Sequence, residues 1–254
     1  MKIAVSGKGG VGKTTLTAIL AHIFFTEGHK VLAIDADPDA NLAMALGFEN
    51  PRQITPLSEM RGLIADRTGV EPGTMGGMFK MNPKVDDLPA AVSHEIDGLK
   101  FMVMGGVKKG GGGCVCPESV LLKALITHLV LARDEVVIID MEAGLEHLGR
   151  GTASSVDKLL VVVEPGRRSL DTAHTVRRLA HDLNLKNIAV VANKCRNKKD
   201  EAYIREGLAG FEVLGFLPYS DEVIEADLSG GAVYKNAPVT VEAVRPIYRK
   251  IIGE

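Results

Sequence analysis

Short, almost unbroken apolar runs alternate along this chain with longer stretches whose apolar residues recur every three or four positions. The runs Lys2–Ser6, Val31–Asp35, Leu99–Met104, Val136–Asp140, Lys158–Val163, Ile188–Asn193 and Val213–Leu217 read as strands. Several are apolar at nearly every position, which marks strands covered on both faces, the condition of a parallel sheet. Between them, Lys13–Glu27, Asn41–Leu46, Pro117–Ala132, Leu170–Leu183, Lys199–Gly207 and Val239–Ile252 read as helices. The alternation predicts an α/β fold, a mostly parallel twisted sheet of about seven to eight strands with helices on both faces. Residues 48–98 break the rhythm with Pro, Gly and scattered charge, and read as a partly helical excursion from a single domain spanning 1–254. Residues 105–117 open with six glycines and two lysines, a loop that leads into Cys114-Val115-Cys116.

Composition narrows the picture. With 46% hydrophobic and 24% charged residues the chain reads as globular. Aromatics make up only 4% and Trp is absent, so the core must be aliphatic. A formal net charge of −2 gives no general attraction for a polyanion, and a nucleic-acid partner is not expected. Arg167, Arg168, Arg177 and Arg178 read most simply as a solvated helix face. No run approaches the ~18 apolar residues of a membrane span. The opening Met1–Val5 is too short for a secretory core. A cytoplasmic protein without a membrane partner is expected, and its three cysteines do not form a disulfide framework.

The segment Gly7-Lys8-Gly9-Gly10-Val11-Gly12-Lys13-Thr14 fits G-x-x-x-x-G-K-[ST] between a strand and a helix, where a phosphate-binding P-loop belongs. Glycines let backbone N–H groups curl around phosphates, and the following helix presents its positive end to the anion. Lys13 is expected to reach the β- and γ-phosphates, and the Thr14 hydroxyl to hold Mg²⁺. Asp35-Ala36-Asp37-Pro38-Asp39-Ala40-Asn41-Leu42 follows the second strand, at the edge where open α/β sheets bind ligands. One of its carboxylates can position an attacking water, because phosphoryl transfer asks mainly for positioning. Val136–Asp140 is an apolar strand ending in Asp, the Walker B pattern, which points to Asp140 as a second contributor to the Mg²⁺ site.

Cys114 and Cys116 precede a helix. Thiolates suit soft ions such as Zn²⁺ or Ni²⁺. Two per chain cannot complete a tetrahedral site, but a symmetric dimer supplies four. Alternate Cα atoms of an extended strand lie ~6.5 Å apart, whereas sulfurs sharing one zinc lie within ~4 Å. One chain therefore chelates only if its backbone bends. Two small core residues, or an internal redox pair, remain open readings of the same motif, and Cys195 reads as a packing residue.

Lys8 in Gly-Lys-Gly-Gly-Val-Gly-Lys-Thr-Thr resembles the deviant Walker A signature of the ParA/MinD and nitrogenase iron-protein group. That likeness implies an ATP-sandwich homodimer in which Lys8 acts across the interface and residues Gly9, Gly10, Val11, Gly12, Lys13, Thr14 and Thr15 hold ATP or ADP. It implies Asp37 as the residue that positions water, with Asp39 second. It implies Gly144 in a switch sensing the γ-phosphate, and Asn193 and Pro218 against the adenine. Taken together, the loop, Asp-Ala-Asp-Pro-Asp-Ala-Asn-Leu, Ile-Ile-Asp-Met-Glu-Ala-Gly-Leu-Glu-His and Cys-Val-Cys resemble the CooC-type nickel-maturation ATPases. The resemblance implies nickel or zinc on Cys114 and Cys116, with apo carbon monoxide dehydrogenase or acetyl-CoA synthase as client. It leaves Glu146 and His147 without a defined role. A ParA/MinD-type positioning ATPase shares every nucleotide motif and would need a membrane or DNA surface, for which the C-terminal stretch with Val241, Val244, Ile247, Ile251, Arg245, Arg249 and Lys250 is the available segment. A metal-binding or redox carrier with nucleotide as structural ligand is the third reading.

Overall fold

The computed structural model describes residues 1–73, 78–105, 116–131, 135–145 and 155–254. Among these, eight strands form one sheet: β1 (Lys2–Gly7), β2 (Val31–Asp35), β3 (His94–Ile96), β4 (Leu99–Val103), β5 (Val136–Asp140), β6 (Lys158–Val163), β7 (Ile188–Cys195) and β8 (Glu212–Pro218). Their order is β3-β4-β2-β5-β1-β6-β7-β8, and every pairing is parallel except that of β3 with β4. The helices are α1 (Lys13–Thr26), α2 (Leu42–Ala45), α3 (Arg61–Thr68), α4 (Leu88–Val92), α5 (Pro117–Leu131), α6 (Arg167–Asp182), α7 (Lys198–Gly207), α8 (Asp221–Ser229), α9 (Val233–Asn236) and α10 (Pro238–Ile252).

The near-continuous apolar runs are explained by burial on both faces. Ile3, Val5, Ala33, Ile138, Leu160 and Val191 pack with α1 and α10, while their chain neighbours Ala4, Leu32, Ile34, Val137, Ile139 and Val161 pack with α5 and α6. Period-two alternation thus persists, but both sets are apolar. Helix α1 is apolar around most of its circumference because it lies between the sheet and α10. Leu16, Ile19, Leu20, Ile23 and Phe24 are all buried, and the Phe24 ring meets Tyr248 edge-on at 4.8 Å.

The C-terminal stretch has its apolar stripe inside the protein. Val241, Val244, Ile247 and Ile251 are buried in the cluster that includes α1, Lys250 Nζ donates to the Leu214 carbonyl at 2.7 Å, and Arg245 pairs with Glu27 at 3.0 Å. The apolar side of α10 is therefore covered by its own sheet. No helix among the described residues is long and apolar enough to cross a membrane.

Several elements depart from the sequence reading. The excursion over 48–98 sends Leu57, Ile64, Val85 and Leu88 into the same buried cluster as Leu32, Met102 and α5. It returns through β3, which pairs antiparallel with β4 around Asp97 (φ 52) and Gly98 (φ 85). Three residues, His94-Glu95-Ile96, are too few to show as an apolar run, although Asp-Gly is itself a two-residue hairpin signal. Helix α6 begins at Arg167, a turn before the expected Leu170, because the Gly166 carbonyl accepts from the N–H groups of Ser169 and Leu170. Helix α8 was not expected. Its start and stop signals are Asp221 and Glu222 in the first turn and Gly230 at φ 67 after the last.

Replacing Phe24 by Ala removes a fully buried ring from the contact between α1 and α10. Unfolding free energy is expected to fall by about 3–5 kcal/mol, measured by urea denaturation with an unchanged slope.

Candidate nucleotide-binding site

The sheet order sets β2, β5 and β1 side by side, so three chain segments leave the same edge together. Asp140 at the end of β5 stands opposite Asp35 of β2 and Val5 of β1. The loop after β1 can turn there only because of its glycines. Gly7, Gly10 and Gly12 have φ of 148°, 80° and 96°. A Cβ on Gly7 would strike the Val162 carbonyl, and one on Gly12 the side-chain amide of Asn193. Val11 is fully buried and anchors the loop's middle. Gly12 caps α1, whose first turn carries no acidic residue, so the positive helix end is left facing outward.

Four side chains converge at this edge. Thr14 Oγ1 donates to Asp140 Oδ2 at 2.6 Å, and Lys13 Nζ lies 3.6 Å from Asp37 Oδ2. Asp35 accepts the backbone N–H of Leu42 at 2.8 Å and of Asp37 at 3.2 Å. Asp37 accepts the N–H of Asp39 at 3.0 Å, and the Asn41 side chain donates to the Asp39 carbonyl at 2.8 Å. Asp39 therefore lines the cleft and does not cap α2; the carboxylate bonded to that helix's first turn is Asp35. Burial, and then the neighbouring Asp140 charge, raise the Asp35 carboxyl to about 7. Burial raises Asp140 to about 6, opposed by the Thr14 hydrogen bond and the Lys13 charge. Asp140 Oδ1 is buried and has no hydrogen-bond partner. A hydroxyl and an unpartnered carboxylate oxygen, with further acidic groups beside them, form an all-oxygen donor set that fits Mg²⁺.

A cleft of about 700 Å³ runs from this edge across the ends of β7 and β8. Gly9, Gly10, Gly12, Lys13, Thr14 and Thr15 line one end, with Asp37, Asp39 and Asn41 beside them. Asn193, Lys194, Pro218 and Tyr219 line the other, with apolar Val223 and Ile224 of α8. Asn193 is already engaged: its amide donates to the Val11 carbonyl at 2.8 Å and accepts the Lys194 N–H at 2.9 Å. Glu142 and Ala143 also face the cleft, and Ser6 Oγ donates to the Glu142 carbonyl at 2.7 Å. Lys8 is half-buried and does not line the cleft. Its ammonium forms no ion pair among the described residues.

Cys116 is half-buried immediately before α5, and burial, with a hydrogen bond to Glu118, pushes its thiol up from the ordinary value. Cys114, Glu146 and His147 lie outside the described residues. Among the described residues no group of three or more His, Cys, Asp or Glu side chains is arranged to hold a metal. Cys195 is buried at the end of β7, as a packing residue would be. The roles of two residues of the site escaped the sequence reading. Asp35 carries the same signal as Asp140, an acidic residue closing an apolar strand. Lys194 was read only with Asn193, as part of a strand end that the resemblance sets against the adenine, and its contact with the loop carries no signal of its own.

The model of the CbiA family, the CobQ/CobB/MinD/ParA nucleotide binding domain, matches residues 2–233. An uncharacterised ATP-binding protein of Methanocaldococcus jannaschii is 48% identical over 99% of this chain and 98% of its own. The carbon monoxide dehydrogenase accessory protein CooC of Rhodospirillum rubrum is 46% identical over 94% of this chain and 91% of its own. Among solved structures, MinD of Aquifex aeolicus in its MinC:MinD complex superposes with a TM-score of 0.71 at 21% identity, covering 100% of this chain and 97% of that one. MinD of Pyrococcus horikoshii with Mg-ADP gives 0.69 at 20% identity, covering 99% and 96%. The eight-stranded sheet, the glycine loop at its switch point and the match over residues 2–233 show that the chain belongs to the CobQ/CobB/MinD/ParA family of nucleotide-binding P-loop domains.

Proposed function

We propose that this chain is a cytoplasmic ATPase that works as a homodimer and couples ATP hydrolysis to metal delivery. Its cargo is nickel or zinc, and its client is apo carbon monoxide dehydrogenase or acetyl-CoA synthase. The observation that carries the reading is the 46% identity, over 94% of the chain, to a carbon monoxide dehydrogenase accessory protein. The nucleotide site supports it from the chemistry side, and the presence of Cys114 and Cys116 supports the cargo.

On this reading, backbone N–H groups of residues 9–15 bind the phosphates at the positive end of α1. Lys13 exchanges its contact with Asp37 for the β- and γ-phosphates. That exchange releases the Asp37 carboxylate to orient the attacking water, a positioning role that requires no strong base. Thr14, and Asp140 through water, would hold Mg²⁺, which would neutralise charge on the phosphate oxygens. Gly144 follows the γ-phosphate through its N–H, and Pro218 packs against the adenine. Lys8, which forms no ion pair among the described residues, reaches the nucleotide of the second subunit. Each subunit contributes Cys114 and Cys116, and closure of the dimer brings four thiolates to one ion. Loss of the γ-phosphate relaxes the switch segments and alters that shared site.

Three outcomes are expected. Asp37→Ala lowers kcat for ATP by about 100-fold or more, while ATP affinity by calorimetry holds or tightens because Lys13 loses its competing partner. Lys8→Ala still binds ATP yet stays monomeric in sedimentation runs with a non-hydrolysable analogue. The Cys114→Ser/Cys116→Ser double variant hydrolyses ATP but copurifies with no stoichiometric nickel or zinc; retention of that metal refutes the delivery role.

A further inference from the structure

Strand β7 is not a neighbour of β1, because β6 lies between them. Two consecutive side chains at the end of β7 nevertheless reach across β6 to the phosphate loop. Asn193 Nδ2 donates to the Val11 carbonyl at 2.8 Å, and Lys194 Nζ donates to the Gly10 carbonyl at 2.5 Å. The pair is braced internally and from the side. Asn193 Oδ1 accepts the Lys194 N–H at 2.9 Å, and Glu164, just past the end of β6, lies 3.7 Å from the Lys194 ammonium.

The backbone beneath the pair is unusual. The register of β7 against β8 shifts between Ala192 and Cys195, and Lys194 sits at φ 58. A left-handed lysine costs energy that surrounding contacts must offset, and irregularities of this kind re-aim side chains at the ends of strands. Here the side chains are aimed at the loop. Gly12 makes room for them, since any Cβ there would collide with the Asn193 amide.

We propose that Asn193 and Lys194 are positioning residues that clamp the phosphate loop by two successive carbonyls. In a trans peptide the carbonyl and the next N–H point in opposite directions. Holding the Val11 carbonyl outward therefore directs the Gly12 N–H into the hollow. Holding the Gly10 carbonyl turns the Val11 N–H inward, where it makes only a long 3.4 Å bond to the Lys8 carbonyl. The clamp presets the anion cradle before nucleotide arrives, so that little order remains to be imposed on binding. This deepens the nucleotide reading and rests on it. It gives Asn193 a task toward the phosphates, through the loop, beside any contact with the base.

The test compares Mg-ATP with Mg-tripolyphosphate, which has neither base nor ribose, by calorimetry. Asn193→Ala, Lys194→Ala and Lys194→Gly are expected to weaken both ligands to a similar extent, by roughly ten- to a hundredfold. Lys194→Gly separates the clamp from a general structural role. Glycine accepts φ 58 without strain, so its thermal midpoint is expected to hold while phosphate affinity falls. Lys194→Arg keeps a donor and is expected to restore part of the affinity. Weakening confined to ATP, with tripolyphosphate unaffected, would falsify the clamp in favour of base reading; unchanged affinity for both ligands overturns it too. An unsubstituted protein that binds neither ligand overturns the nucleotide reading itself, and the clamp with it.

Discussion

The arrangement at the sheet edge depends on negative charge held where water is largely excluded. Asp35 and Asp140 face each other across paired strands, both fully buried, and both are pushed far above the usual carboxylate range. Such a pair is tolerable only because each oxygen but one has a donor: two backbone N–H groups for Asp35 and the Thr14 hydroxyl for Asp140. The same bonds hold the two ends of the segment from Asp37 to Leu42, and the start of α1. Charge burial and the shape of the cleft are therefore one constraint. A cation arriving with a nucleotide would satisfy the remaining oxygen and damp the repulsion, so ligand binding and folding would support each other.

Most of the fold was legible because the information lay in apolar runs. Seven of the eight strands lie within two residues of their expected ends, since a strand buried on both faces has little freedom in composition. What escaped was written in other terms. Strand β3 is short and half-polar, and only its Asp-Gly turn announces it. Helix α8 has a start and a stop but a weakly periodic middle. At the site, the loop, Asp37 and Asp140 were legible as motifs, whereas Asp35 was passed over in a run where three acidic residues compete for attention. Lys194 was legible only as the neighbour of Asn193 at a strand end, and its reach to the loop was hidden for a physical reason. Its importance comes from a left-handed backbone and a reach across an intervening strand, and neither is a local property of the sequence.

The two lysines of the glycine loop show how one segment can carry two different electrostatic tasks. Lys13 is buried and lies against Asp37, so its charge is already balanced within the chain. A phosphate can claim it only by displacing Asp37. Among the described residues that carboxylate is then tied to the fold only through the N–H of Asp39, while Asp35 keeps its hold on Leu42. On the proposed reading, Asp35 keeps both ends of the segment, at the Asp37 and Leu42 N–H groups, while the residues between them re-aim as a switch does.

Lys8 is the opposite case. No carboxylate of the described chain neutralises it, and the outward helix end beside it adds positive potential. In two empty copies brought loop to loop, each Lys8 would face the outward helix end of the other. On the proposed reading, a bound triphosphate adds negative charge at that face, only part of which Lys13, the loop amides and one Mg²⁺ cancel. Each Lys8 then meets an anion where it had met a positive helix end. On the proposed reading, this attraction acts together with the γ-phosphate contact of Gly144. Removing one phosphate with its charge then weakens the attraction that brought the subunits together.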